Sequence, residues 1–138
     1  MSATQNKELL QRLFAELAEG NSRPFIDALA DDFRWVIAGS SCWSRTYEGK
    51  QAVLNEFFPL LRATMADRVR TRATRFIADG DHVVVEAHGN NTTRAGMPYN
   101  NSYCLVYTVR DGKLREVVEY MDTELAIKAL GDPAAIAA

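Results

Sequence analysis

The stretch YNNSYCLVYTVRDGKLREVVEYMD, residues 99–122, decides the fold class of this chain. Two runs rich in β-branched and aromatic residues flank Asp111-Gly112, a dipeptide that favours a tight hairpin turn. The preceding sequence repeats this arrangement around Asp79-Gly80, and residues 95–98 supply a turn between the two hairpins. The sequence therefore predicts an antiparallel meander of four long strands, at 68–78, 82–94, 99–110 and 113–122.

The residues before the meander have helical periodicity instead. Helices with one apolar face are predicted at 4–19, around 25–29 and at about 49–65. Pro59 lies inside the third helix and is expected to kink it. A short apolar strand is predicted at 33–38, and a last helix at about 123–130.

Length and charge narrow the classes of function. The chain has 138 residues, so we expect one domain, at 1–131, followed by a frayed tail at 132–138. The formal net charge of -2 gives no reason to expect nucleic acid as a partner. The N-terminus lacks the apolar region of a signal peptide, and no run of about 18 apolar residues occurs. We therefore expect a cytoplasmic protein that does not act at a membrane.

Helices followed by a long-stranded meander indicate the α+β class. Long strands twist and curl, so the sheet is expected to wrap around the N-terminal helices as a cone-shaped α+β barrel. Such a cone leaves a deep, mostly apolar pocket that suits a small ligand. A sheet with one covered face needs its other face polar or covered. We therefore expect a homodimer through the outer face, with Val83, Val85, Val117 and Met121 as apolar contacts.

The order of these elements, with ALADDFRW at 28–35 and DGKLREVVEYMDT at 111–123, resembles a known superfamily. Its members are nuclear transport factor 2, ketosteroid isomerase and the SnoaL-like polyketide cyclases. The resemblance spans nearly the whole chain and implies the same cone-shaped fold. It implies a cofactor-free isomerase, cyclase, dehydratase or hydrolase, or alternatively a non-catalytic ligand-binding or dimerisation module, since one fold carries all of these.

The residues of steroid isomerase chemistry are absent from the matching positions. Ketosteroid isomerases have a general base, an oxyanion-hole Tyr and a neutral Asp where this chain has Ile37, Leu13 and a position near Leu105. All three side chains are apolar here. The resemblance therefore does not imply steroid isomerase activity.

The limonene epoxide hydrolases resemble this chain at one point. Their last strand ends in an aromatic pair and a catalytic Asp, which match Tyr120 and Asp122. Their other active-site positions fall on Glu86, His88, Trp35 and Ile37. The match therefore implies a role for Asp122 and leaves the rest of that site unmatched.

Asp122 is the first candidate for acid/base catalysis. It ends the last predicted strand and shares the parity of Val118 and Tyr120, so all three side chains are expected to point into the pocket. Partial burial there would raise the pKa of Asp122 toward that of a general base. Asp122 also precedes the final helix, where an Asp is a natural N-cap, and both interpretations stay open.

Glu86, His88 and Asn90 alternate along one predicted strand and therefore share one face of it. They form either a polar wall of the pocket or a solvated outer face, and we favour the pocket. There Glu86 would orient His88, which would donate a proton or polarise a ligand oxygen. One His and one Glu fall short of a ligand set, so no metal and no cofactor are expected.

Aromatic and amide side chains supply the candidate ligand contacts, which are Trp35, Trp43, Tyr47, Asn90, Asn101, Tyr103 and Tyr120. Asn101 or Tyr103 can hydrogen-bond a ligand carbonyl or hydroxyl. Core packing explains Trp35 better, whereas Trp43 lies in a polar loop where an exposed indole is unusual. The expected ligand is a small apolar molecule with an oxygen function.

Overall fold

A computed structural model of the chain describes residues 1–137. Helix α1, Ala3–Ala18, begins at a capping box, because Ser2 and Gln5 each accept a hydrogen bond from the other's backbone N–H. Helix α2, Arg23–Ala28, has Pro24 in its first turn, where no N–H partner is needed. Leu10, Leu13 and Phe14 of α1 are buried against the sheet. The first two predicted helices are therefore confirmed.

The third predicted helix is continuous but irregular. Helix α3, Lys50–Ala52, runs into a π-helical segment, Val53–Phe57, and then into helix α4, Phe58–Thr64. The irregularity expected at Pro59 lies in the turn just before it, because proline lacks an N–H and its ring crowds the preceding turn.

The C-terminal helices differ from the prediction in one respect. Helix α5, Thr123–Leu130, has the predicted bounds. The tail expected to be frayed instead forms a short helix α6, Pro133–Ala137, because Ile136 packs against a small apolar cluster that includes Trp43 and Leu130. Residue 138 lies outside the described residues.

Eight strands are present in residues 1–137: β1 Leu29–Ile37, β2 Thr46–Glu48, β3 Thr71–Asp79, β4 His82–Gly89, β5 Asn91–Thr92, β6 Pro98–Tyr99, β7 Ser102–Arg110 and β8 Lys113–Met121. Six of them form one curved sheet in the order β2-β1-β8-β7-β4-β3, with β1 and β8 parallel and the other pairs antiparallel. The predicted meander is confirmed as the run β3, β4, β7 and β8.

Two predicted strands are divided where the chain leaves the main sheet. The stretch 82–94 becomes β4 and β5, and the stretch 99–110 becomes β6 and β7, with β5 and β6 paired in a separate ribbon. At Gly89 an added Cβ would lie 3.0 Å from the side-chain nitrogen Nδ2 of Asn91 and 3.4 Å from the carbonyl oxygen of Tyr99. The absent side chain therefore allows the close approach at which the two sheets separate.

The inner and outer faces of the sheet are the reverse of those predicted for β4 and β8. Val83, Val85 and Val117 are fully buried in the core, and Met121 is half-buried against it. The expected dimer contacts were therefore wrong. A one-residue change of phase exchanges the faces of a strand, and these apolar side chains release more free energy by burial than their polar neighbours would.

A β-bulge in β8 also makes it harder to predict from the sequence which of its side chains point inward. Thr108 pairs with Glu116 and Val109 with Leu114, so Arg115 is an extra residue. Leu114 and Val117 both point inward although they are three positions apart.

Among residues 1–137, no helix is long and apolar enough to cross a membrane.

Candidate functional site

A cavity of about 480 Å³ lies between the helices and the concave face of the sheet. Most of its lining is aromatic or aliphatic and includes Phe14, Phe25, Trp35, Ile37, Phe57, Phe58, Leu61, Leu105 and Met121. Helices α1, α2 and α4 contribute one wall, and strands β1, β7 and β8 contribute the other. This volume and lining are typical of a site for a small, largely apolar molecule.

Glu119 on β8 brings a carboxyl group into this apolar cavity. Among residues 1–137 it is the one acidic residue in the lining, and only 6% of it is exposed. The indole Nε1 of Trp35 donates a hydrogen bond to Oε1 of Glu119 at 3.2 Å. Burial raises the pKa of Glu119 to about 7, and the hydrogen bond from Trp35 opposes that rise.

Strand pairing and aromatic packing fix this carboxyl and its donor. Glu119 lies opposite Ile37 of β1 and Leu105 of β7, so its side chain leaves the sheet between two apolar neighbours. Rings that meet the Trp35 indole edge to face belong to Phe25, Phe33, Phe57 and Phe58. The indole N–H is therefore held in one orientation, toward Glu119.

Among residues 1–137, Tyr99 and Tyr103 are two of the three tyrosines that line the cavity with Glu119, and the third is Tyr107. Tyr99 and Tyr103 both line it, and Nδ2 of Asn101 donates to Oη of Tyr99 at 3.1 Å. Burial is the main cause that raises the pKa of both tyrosines, and the negative charge of Glu119 contributes to each shift. The two hydroxyls therefore stay protonated at neutral pH and can donate hydrogen bonds to a ligand oxygen.

Three of the predicted ligand contacts line the cavity, and two more lie directly behind its wall. Trp35, Trp43 and Tyr103 belong to the lining. Tyr47 stacks on Phe57 with ring centroids 4.8 Å apart and is buried. Asn101 is fully buried, donates to Tyr99 and also bonds the backbone of Asp122, so its amide holds the site together.

The predicted polar wall of Glu86, His88 and Asn90 is not part of the cavity. Glu86 pairs with Arg75 on the outer face, and this hydrogen bond lowers the pKa of Glu86. His88 is exposed on the same face, where its Nδ1 lies 3.1 Å from Oγ of Ser102, and Asn90 is exposed between β4 and β5. The orientation predicted for these residues was wrong, because β4 buries Val83, Val85 and Ala87 instead.

Asp122 and Tyr120 also lie outside the cavity. Tyr120 is 52% exposed on the outer face. Oδ1 of Asp122 accepts a hydrogen bond from the N–H of Leu125 at 3.1 Å, so Asp122 is the N-cap of α5. Both side chains were expected to point into the cavity. This was wrong, because the residues of β8 that face inward are one position away in sequence, at 117, 119 and 121. The catalytic roles predicted for Asp122, His88 and Glu86 stay predictions.

The sequence alone could have indicated that Glu119 faces the interior, but the alternation along the last strand was assigned to the opposite face. Glu119 shares its phase with Val117 and Met121, which are apolar enough to require burial. A carboxyl two positions from each must then face the interior, where it needs a functional or structural reason.

Comparison with known proteins indicates a single family. A model of the SnoaL-like domain matches residues 10–117, which is most of the chain. The resemblance to the SnoaL-like and nuclear transport factor 2-like superfamily is thereby confirmed. A search of curated proteins finds no significant match.

Solved structures of the same fold cover nearly the whole chain. An NTF2-like protein of unknown function from Burkholderia pseudomallei K96243 has 20% identity and a TM-score of 0.78, with 94% of this chain and 98% of that chain covered. TerC, co-crystallised with polyporic acid, has 22% identity, a TM-score of 0.76, and coverage of 91% and 97%. A protein with a ketosteroid isomerase-like fold from Catenulispora acidiphila DSM 44928, in complex with trimethylamine, has 18% identity, a TM-score of 0.72, and coverage of 93% and 95%. Identities this low show the shared fold alone.

Proposed function

We propose, from the premise that this chain belongs to the SnoaL-like domain family, that it is an enzyme which transfers protons on a small apolar molecule bound in the cavity. The observation that carries the proposal is the buried carboxyl of Glu119, whose raised pKa of about 7 lets it accept and return a proton near neutral pH. Isomerisation and aldol-type cyclisation both need such a group, because each begins by removing a proton beside a carbonyl.

The chemistry follows from the positions of three groups. Oε1 of Glu119 accepts the hydrogen bond from Trp35, so Oε2 is the oxygen that takes the proton from the carbon beside the carbonyl. The hydroxyl of Tyr99 or Tyr103 donates to the carbonyl oxygen, on which negative charge develops. Return of the proton from Glu119 to another carbon completes an isomerisation. In a cyclisation the enolate carbon instead attacks a second carbonyl, and Glu119 returns the proton to the alkoxide oxygen that forms.

The proposed ligand is small, largely apolar and carries an oxygen function. The cavity volume and aromatic lining support this class, and the tyrosine hydroxyls match an oxygen acceptor. TerC, a protein of the same fold, was co-crystallised with polyporic acid, which adds support for an organic ligand of this kind.

Solvent deuterium exchange tests the proposal without knowledge of the natural substrate. Small cyclic ketones and diketones are incubated with the protein in D₂O, and deuterium at the carbons beside the carbonyl is followed by NMR. We expect at least one ketone to exchange faster than in a protein-free control. If ketones that quench the fluorescence of Trp35 and Trp43 bind without any exchange, the result supports a non-catalytic binding module instead.

We also propose that the chain forms a homodimer through the outer face of the main sheet. The supporting observation is an apolar row on that face, in which each residue pairs with the next across five strands: Ile77, Val84, Val106, Val118 and Val36. Ile77 at the end of the row is 52% exposed. A continuous apolar row of this kind is a recurrent feature of protein interfaces.

A charge in the middle of this apolar row is expected to separate the dimer. We expect sedimentation to give a dimer at micromolar concentration and Val106→Glu to give a monomer, because the interface would bury an unpaired carboxylate. Ile127→Glu, on an exposed position of α5, is the matched control and should remain dimeric. A monomeric wild-type protein would contradict the proposed interface.

A further inference from the structure

The charged residues that line the cavity are unevenly distributed. Arg23, Arg62 and Arg68 belong to the lining, against the single carboxyl of Glu119 among residues 1–137. All three arginines are exposed, whereas Glu119 is buried. The cations therefore lie at the open end of the cavity, and the carboxyl lies inside it.

Two of these arginines lack a protein partner for their side chains. Arg23 pairs with Asp27 at 3.4 Å. In residues 1–137, no ion pair or side-chain hydrogen bond involves the guanidinium groups of Arg62 or Arg68. The nearest acid to Arg68 in sequence, Asp67, forms its ion pair with Arg70, at 3.1 Å, and the charge of Arg68 is the smallest cause of the lowered pKa of Asp67.

Neighbouring arginines fix the backbone that carries Arg62 and Arg68. Arg94 donates to the carbonyl oxygens of Arg62 and Met65, at 3.0 and 3.2 Å, which holds the end of α4. Arg70 donates to the carbonyl oxygen of Arg68 at 3.3 Å. The main chain at the mouth is therefore held in place while the two guanidinium groups stay free to bind.

The arginines do not compensate the buried carboxyl. The hydrogen bond from Trp35 is the one interaction that lowers the pKa of Glu119, and no arginine contributes. The guanidinium groups at the mouth are therefore available to a partner other than Glu119. A bound anion is the natural partner, because guanidinium groups form strong, directional hydrogen bonds with carboxylate, sulfonate and phosphate oxygens.

We infer that the ligand is amphipathic: an apolar ring system in the cavity bears an anionic group that Arg62 and Arg68 bind at the mouth. This inference rests on the proposed function and adds the substrate class and the orientation. The anionic end faces solvent between α4 and the segment before β3, and the reacting carbonyl end faces Glu119, Tyr99 and Tyr103.

Two fluorescent dyes with the same apolar skeleton provide the test. The dye 8-anilinonaphthalene-1-sulfonate carries one sulfonate, and N-phenyl-1-naphthylamine lacks it. We expect the sulfonate dye to bind the wild-type protein more tightly. In the double variant Arg62→Gln, Arg68→Gln its Kd should rise about tenfold, while the Kd of the neutral dye changes by less than about twofold.

The control removes one arginine charge at a distance from the mouth. Arg12, exposed on α1, is outside the cavity lining, so Arg12→Gln should change neither Kd. Equal binding of both dyes, or equal weakening of both in the double variant, would overturn the inference and leave the proposed function standing. If the wild-type protein binds neither dye, the proposed ligand site fails and the inference fails with it.

Discussion

Replacing Glu119 by glutamine is expected to reduce deuterium exchange into the best ketone substrate by at least about 100-fold, the usual contribution of a positioned general base. Glutamine has nearly the same shape and can still accept the hydrogen bond from Trp35 through its amide oxygen. It cannot take a proton. The loss should therefore appear in the rate of exchange, with little change in the concentration of ketone that saturates the protein.

The pH dependence of the wild-type rate provides a second measurement on the same residue. Glu119 is a base only when it is ionised, and its pKa is raised to about 7. Exchange should therefore be slow in acid, rise as the pH passes about 7 and level off above it. A rate that levels off near the ordinary carboxyl pKa would contradict the assignment of Glu119 as the base.

Two further variants separate Glu119 from other acids of the chain. Glu8→Gln changes an exposed acid on α1 outside the cavity lining and should leave the rate unchanged. Asp122→Asn retains an N-cap residue at the start of α5, so its fold should be intact. Exchange that is lost in Asp122→Asn and kept in Glu119→Gln would transfer the role to Asp122, as the sequence first indicated.

The fold was readable from the sequence because its signals are local. Asp111 and Gly112 both have positive φ, as a tight hairpin turn of the type favoured by Asp-Gly requires. Helical periodicity and caps likewise gave α1 and α5 nearly to the residue. The division of the strands at Gly89 could not be predicted, because it depends on how closely the main chain of Tyr99 and Asn101 approaches this glycine in space.

The site was harder to predict because it depends on which face of each strand points inward. Alternation along β8 separates two sets of residues but does not say which set is buried. The polar side chains Glu86 and His88 drew the prediction toward a polar wall, whereas burial of Val83 and Val85 decided the orientation. The hydrogen bond from Trp35 to Glu119 joins residues that are 84 positions apart. The pairing of β1 with β8 brings them together, and neither strand has a sequence pattern that indicates this pairing.

The buried carboxyl of Glu119 also makes the stability of the folded protein depend on pH. The second prediction follows from this dependence. Folding raises the pKa of Glu119 from its ordinary value of 4.5 to about 7, so the folded state binds the proton more tightly than the unfolded state. The contribution of this group to stability is therefore greatest below the unfolded pKa. It falls as the pH rises through the interval between the two values and is fully lost above the folded one.

Glu119→Gln should remove this dependence on pH. Between about pH 5 and about pH 8, the free energy of unfolding of Glu119→Gln relative to wild type is expected to rise by about 2 to 3 kcal/mol. The measurement is urea denaturation of both proteins at each pH, with Glu8→Gln as the matched control that follows wild type. A difference that does not change with pH would contradict the raised pKa of Glu119. If the variant loses exchange while it becomes more stable than wild type in mild alkali, its inactivity is not caused by unfolding. A catalytic group that lowers stability is expected to give these two opposite effects when it is replaced.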